Sequence, residues 1–191
     1  MSRPTVIVFA RAPAIGVGKS RLARDVGAVE AWRAYRTMTA RLLRRLADPR
    51  WRVVVRITPD AAGLSGFVCE GQGGGDLGAR LERAIRAHAR GPVAVIGTDA
   101  PDVTPARIAR AFDAARPTGA AIGPAEDGGF WILALSPSKA RRIAFPGVRW
   151  STPDAFADTR AALAGEAAVL EVLADVDDGP ALRAWRRRAR L

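Results

Sequence analysis

Val6, Ile7, Val8 and Phe9 form an unbroken apolar run, the pattern of a strand buried on both faces rather than one with a wet face. Similar runs recur at 52–57, 93–97, 120–123 and 130–135, with a weaker one at 169–173. Between them the period changes. Over residues 29–46, Trp32, Tyr35, Leu42, Leu43 and Leu46 recur at helical spacing, while Arg33, Arg36, Arg41, Arg44 and Arg45 fall mostly on the other side. Residues 77–89 and 105–114 read as further helices, the second introduced by Thr104 as N-cap and Pro105 at the first helical position. Strands alternating with helices imply βαβ units with right-handed crossovers, hence the α/β class: a three-layer α/β/α sandwich with a mainly parallel sheet. With 191 residues and no internal repeat, the expectation is a single domain over 1–191.

Composition narrows the function more than the fold. Hydrophobic residues make up 49% and charged residues 26%, as in ordinary globular proteins. The net charge of +11 invites a polyanionic partner, but the basic residues are nearly all Arg, spread over helices beside many Ala. No basic stripe interleaves with aromatics, so nucleic acid is not an expected partner. The cluster Arg183, Arg186, Arg187, Arg188 and Arg190 reads as the solvated face of a last helix. No stretch approaches a membrane span or a signal-peptide core, and the expected location is cytoplasmic. Cys69 has no partner for an internal disulfide, and with the single His88 it excludes the usual zinc sites and Cys-His or Ser-His-Asp catalysis. A metal, if used, is a hard cation held by carboxylates and phosphate oxygens, Mg²⁺ or Mn²⁺.

In parallel sheets ligands bind beyond the carboxyl ends of the strands, and four loops in that position carry unusual chemistry. After the first strand, Arg11, Gly16, Lys19 and Arg21 lead into a helix, where glycine amides, a helix N-terminus and three cations can cradle phosphate. It is no Walker A loop, because Pro13 stands where the first glycine should be. The glycine-rich stretch 73–80 can fold over a ligand, with Asp76 and Arg80 as candidate contacts, although Asp76 serves equally as an N-cap. Gly97-Thr98-Asp99-Ala100-Pro101-Asp102 ends the most apolar strand and makes Asp99 the first choice of metal ligand, a turn-capping role being the alternative. Glu126, Asp127, Gly128 and Gly129 lie between two strands. A plain hairpin needs only Asp-Gly there, whereas paired carboxylates and glycines beside Phe130 and Trp131 suit a catalytic loop with apolar walls.

At these residues the chain resembles a bacterial family of nucleotide-diphospho-sugar transferase-like proteins with the GT-A glycosyltransferase fold, some of them called arsenosugar-biosynthesis glycosyltransferases. The resemblance spans nearly the whole chain. It rests on Phe9-Ala10-Arg11-Ala12-Pro13 with Gly16, Lys19, Ser20, Arg21 and Leu22; Gly75-Asp76-Leu77-Gly78 with Arg80; Gly97 to Asp102; Gly123 to Phe130; and Trp150-Ser151-Thr152. It implies that Arg11, Lys19 and Arg21 contact nucleotide phosphates, that Asp99 holds the divalent cation, and that Asp127 completes the metal or acceptor site. Ser20 stands where Thr is expected and Phe130 where Tyr is expected. The segment 175–182 lacks the Thr-Pro and later acid of the family's D-x-D-T-P-x-D-L ending, while Asp175 and Asp177 remain eligible ligands.

Two activities follow as expectations. In the first, a glycosyltransferase moves a sugar from a nucleotide-sugar to a small-molecule acceptor. Mg²⁺ or Mn²⁺ on Asp99 and Asp127 neutralises the leaving diphosphate, Glu126 or Asp127 takes the acceptor proton, and Trp131 or Trp150 stacks on sugar or acceptor beside Gly128, Gly129 and Ser151. In the second, a nucleotidyltransferase joins an NTP to a phosphorylated acceptor and releases pyrophosphate. Lys19 after a glycine-containing loop favours it, and the missing G-G-x-G-x-R loop after the first strand counts against it.

Overall fold

A computed structural model describes residues 2–163 and 166–189; Arg190 of the terminal arginine cluster lies outside them. The elements in chain order are β1 (Thr5–Arg11), α1 (Ser20–Val26), α2 (Ala28–Arg45), β2 (Arg52–Thr58), β3 (Cys69–Gly71), α3 (Leu77–Ala87) and β4 (Val93–Ile96). There follow α4 (Pro105–Thr118), β5 (Ala120–Pro124), β6 (Phe130–Leu135), α5 (Pro137–Arg142), α6 (Ala155–Ala162), β7 (Ala168–Val169) and α7 (Gly179–Ala189). The seven strands make one sheet in the order β3-β2-β1-β4-β6-β5-β7. Only β6 runs against the rest, pairing antiparallel with both β4 and β5.

The unbroken apolar runs are explained by burial on both faces. In β1, Val6 and Val8 enter one core and Ile7 the other; in β4, Ala94 and Ile96 oppose Val93 and Val95; in β6, Ile132 and Ala134 oppose Leu133 and Leu135. The first core is closed by Leu42 and Leu43 of α2 and Ile108 and Ala111 of α4, the second by Leu81 and Ile85 of α3 and Ala140 of α5. Each fully buried Val, Leu or Ile side chain stabilises this arrangement by about 1.5–3 kcal/mol. A third cluster joins Leu22 of α1 and Met38 of α2 to Val176, Leu182 and Trp185, so α7 is packed against the start of the chain.

Strand order reverses between β1 and β4, its neighbour in the sheet: β2 and β3 lie to one side of β1, and β4 with all later strands to the other. The loops leaving the carboxyl ends of β1 and β4 therefore diverge and open a crevice, the usual ligand position in such sheets. The reversed β6 adds a third loop at the same edge. The Ala125–Gly129 turn joining β5 to β6 is a hairpin, closed by the Ala125 N–H donating to Gly129 O (3.0 Å). Ile96 at the end of β4 pairs with Ile132 of β6, which brings that turn beside the loop that carries Asp99.

Candidate active site

The β1 loop enters α1 through three residues at positive φ, Gly16, Gly18 and Lys19. A lysine at φ 48° and ψ 41° is in left-handed backbone, which costs a non-glycine residue on the order of 1 kcal/mol. Its side chain compensates. Lys19 Nζ lies 2.6 Å from Asp99 Oδ1 and 2.6 Å from Asp177 Oδ1, and donates to Val176 O at 2.8 Å. The side chain is only 8% exposed. Burial alone lowers the ammonium's pKa, but Asp99 and Asp177 outweigh it and hold the pKa above its ordinary value.

The two aspartates arrive by different routes. Asp99 follows β4, and its carbonyl accepts from the Val176 N–H at 2.9 Å, so the chain leading into α7 is tied directly to the β4 loop. Buried Val176 anchors in the third apolar cluster, and its neighbours Asp175 and Asp177 both border the crevice. Upstream, Leu173 continues the edge of β5: its N–H donates to Pro124 O (3.1 Å) and its carbonyl accepts from the Glu126 N–H (3.2 Å). Asp127, on the hairpin turn, accepts from the Gly129 N–H at 2.8 Å.

Asp99, Asp127, Asp175 and Asp177 thus converge, and Asp175 carries the strain of it. Its pKa is pushed up to about 7, first by burial and then by the charges of Asp127, Asp177 and Asp99, against a backbone hydrogen bond from Asp127. Asp175 Oδ2 is buried without a hydrogen-bond partner. Among the described residues no three acidic, His or Cys side chains are disposed to hold a metal ion as they stand, and Lys19 bridges Asp99 and Asp177. The donor chemistry nevertheless suits a hard divalent cation: four carboxylates border the same cleft, two of them pair with one ammonium, and Asp175 Oδ2 is buried without a partner.

Two clefts meet at this cluster. The first, about 650 Å³, takes Arg11, Lys19, Arg21, Arg80, Tyr35 and Gln72 into its walls. The second, about 500 Å³, is bounded by Asp127, Gly129, Phe130, Trp131, Trp150 and Asp175. Phe9, Arg21, Leu77, Asp99, Ser151 and Asp177 border both. Arg80 is fixed in its wall by donating from Nε to Gly75 O at 2.8 Å. Trp131 is 2% exposed with its indole N–H donated to Glu171 O (2.9 Å), so it forms a floor, whereas Trp150 is half-buried and open to the cleft.

Other expected site residues stand apart. Asp76 caps α3, accepting from the Ala79 N–H at 2.8 Å, and borders neither cleft. Glu126 is exposed and likewise borders neither. Gly16 lines a separate recess of about 300 Å³ beside the β1 loop. Gly128 supports the site through backbone. At φ 86° it passes so near Pro153 that a Cβ would come within 2.2 Å of that residue's carbonyl oxygen, and its own carbonyl accepts from the Phe156 N–H at 2.8 Å.

The sequence left two further wall residues unmarked. Tyr35 reads as one apolar position on α2, yet its hydroxyl accepts from the Arg11 N–H (3.0 Å), donates to Arg11 O (3.0 Å) and receives Thr98 Oγ1 (3.2 Å), sewing the ends of β1 and β4 together. Gln72 donates from Nε2 to Ala10 O (2.9 Å) and Arg56 O (3.0 Å). No short-range pattern announces either role.

Residues 40–152 match the model of a family described as uncharacterised proteins conserved in bacteria, DUF2064. No curated protein sequence matches the chain. Among solved structures, a protein of Desulfovibrio desulfuricans G20, provisionally assigned as a nucleotide-diphospho-sugar transferase, superposes with a TM-score of 0.89 at 26% identity, over 100% of this chain and 89% of that one. CMP:2-keto-3-deoxy-manno-octonic acid synthetase, solved with CTP, gives a TM-score of 0.62 at 16% identity and 99% coverage of both chains. Rv0371c of Mycobacterium tuberculosis H37Rv, solved with manganese, gives 0.52 at 19% identity, over 96% of this chain and 97% of that one. At those identities the last two similarities concern the fold. No helix among the described residues is long and apolar enough to cross a membrane.

Proposed function

We propose that this chain, which belongs to the DUF2064 family, is a nucleotide-using transferase that moves a sugar from a nucleoside-diphosphate sugar to a hydroxyl group of a small acceptor. One observation carries the reading: a cation-lined cleft and an aromatic, carboxylate-lined cleft adjoin at Asp99 and Asp177. Phosphates seek the first, where Arg11, Arg21 and Arg80 offer charge-assisted hydrogen bonds and Lys19, its three donors taken by Asp99, Asp177 and Val176 O, contributes charge. The acceptor enters the second. The similarity to the D. desulfuricans protein supports this assignment.

In the transfer, the acceptor oxygen bonds to the anomeric carbon, the bond from that carbon to the diphosphate oxygen breaks, and the nucleoside diphosphate leaves with the electron pair. The acceptor's proton passes to a carboxylate of the second cleft, Asp127 or Asp175. Asp99 and Asp127 are the residues that would hold Mg²⁺ or Mn²⁺, which when bound supplies neutralising charge to the departing diphosphate. Arg11 and Arg21 hold the phosphates beside the charge of Lys19, and the β1 and β4 loops that flank the crevice fix the angle of attack.

A second reading, nucleotidyl transfer with release of pyrophosphate, draws on the same four cations, enough to meet a triphosphate. Products separate the two. A panel of nucleotide-sugars and nucleoside triphosphates is incubated with Mg²⁺ or Mn²⁺, and melting temperature and released nucleoside diphosphate or pyrophosphate are measured. A nucleoside diphosphate should stabilise the protein more with the cation than with EDTA, since a ligand of the folded state stabilises by mass action. Pyrophosphate as the product would replace the first reading with the second; equal stabilisation in EDTA would remove the cation from both.

A further inference from the structure

The two clefts differ in charge far more than two halves of one phosphate site would. Among the described residues Arg21 is the only cation bordering the second cleft, against Asp99, Asp127, Asp175 and Asp177. Apart from Ser151 and Thr152, the rest of its lining is apolar or glycine, with Phe9 of β1, Leu77 at the head of α3, Phe130 opening β6 and Trp150 in the segment after α5 among its large side chains. Trp150 is held in place. Its ring meets Phe145 edge-on (5.3 Å between centroids, 88°) and Phe130 at 6.4 Å and 68°. Its Nε1 edge abuts Gly78, where a Cβ would approach to 2.8 Å. A pre-set aromatic platform loses little entropy on binding and suits the C–H face of a sugar or an aryl ring. The carboxylates around it accept hydrogen bonds from hydroxyl groups, and, with Asp99 and Asp177 paired to Lys19, Asp127 is the carboxylate left to repel phosphate when no cation is bound.

We infer that the second cleft takes an uncharged acceptor that presents hydroxyl groups and an apolar face, and that it rejects phosphorylated acceptors. The inference rests on the first cleft being the nucleotide site. Its volume of about 500 Å³ falls within the range of small-molecule pockets, large enough for a glycoside. Ser151, in left-handed backbone at φ 60°, is one of the residues that border both clefts, so this segment forms part of the boundary between donor and acceptor.

The test titrates the protein with phenyl β-D-glucopyranoside and with the same glycoside bearing a 6-phosphate, each with and without UDP and Mn²⁺, reading tryptophan fluorescence. Without Mn²⁺, the neutral glycoside should bind at least about tenfold tighter than its phosphate, a difference of about 1.4 kcal/mol. Trp150→Ala should remove most of its affinity while UDP binding stays within about twofold of the parent. Asp127→Asn, on an exposed turn and independent of core packing, should narrow the gap between the two glycosides severalfold. The inference is overturned if the phosphate binds as tightly as the neutral compound, if the neutral compound does not bind, or if Asp127→Asn leaves the ratio unchanged. Failure of UDP to bind instead strikes the nucleotide reading of the first cleft, and the titrations without UDP tell the two failures apart.

Discussion

Replacing Lys19 by Met keeps an unbranched side chain one atom shorter and removes its charge. Three contacts go: ion pairs at 2.6 Å to Asp99 and Asp177 and a hydrogen bond at 2.8 Å to Val176 O. Deleting one member of a buried ion pair costs about 3–5 kcal/mol, because the other is left uncompensated. Here Asp99 and Asp177 are 53% and 36% exposed and water can take over much of their solvation. The unliganded protein should therefore lose about 2 kcal/mol, between the exposed and buried limits. Urea unfolding without ligand measures it. Because the folded pKa of Lys19 lies above 10.5, this contribution is fully present at neutral pH and disappears only as pH rises through that folded value. A second effect has the opposite sign. With the ammonium gone from between Asp99 and Asp177, Mn²⁺ alone should bind Lys19→Met more tightly than the parent, while a nucleoside diphosphate binds more weakly by about 1–3 kcal/mol. A stability loss below about 0.5 kcal/mol with unchanged Mn²⁺ affinity would refute the reasoning, since a solvated surface lysine behaves that way.

Asp99→Asn should lower turnover by about 10² or more while stability without ligand stays within about 1 kcal/mol of the parent, as checked by steady-state rates and urea unfolding. Near-parental turnover at saturating metal and substrate would leave Asp99 a turn cap. The raised pKa of Asp175, about 7 against 3.8 for the free group, means the folded protein holds a proton that the unfolded chain releases between those values. Stability without metal should fall as pH rises from about 4 to 7, and Asp175→Asn should flatten that slope in a series of melting curves. Gly128→Ala forces a Cβ to within 2.2 Å of Pro153 O in left-handed backbone, and should lower the melting temperature by an amount equivalent to about 2 kcal/mol or more.

The elements most legible in the sequence were those buried on both faces. β1, β2, β4, β5 and β6 appear within a residue or two of the apolar runs, and Thr104 caps α4 through its Oγ1 as its position suggests. The three residues of β3, all half-buried, have no such run, since a short strand at the sheet's end needs little apolar surface. The reversed direction of β6 was foreshadowed only by the hairpin alternative at Asp127-Gly128, because a strand buried on both faces looks the same in either direction. For the site, the strand-end rule drew attention to the loops bearing Lys19, Asp99 and Asp127. It could not reveal that Lys19 pairs with Asp177, since 158 positions separate them and nothing local relates their types. Asp175 and Asp177 stood out only as acids in an atypical ending, and Tyr35 only as one more apolar position on a helix.

The bond from Val176 to the β4 loop also sets an order of assembly. A ribosome delivers β1, Lys19 and Asp99 long before residues 175–177, so the emerging chain holds a lysine and an aspartate whose other partners do not yet exist. The sheet through β6 can form in that interval, but the second cleft gains Asp175 and Asp177 only when α7 docks on α1 and α2. Contacts of such sequence separation form late, after the loops they close have been ordered. A chain that ends before residue 175 therefore lacks two of the four acids that border the second cleft, and on the proposed function it should be inactive.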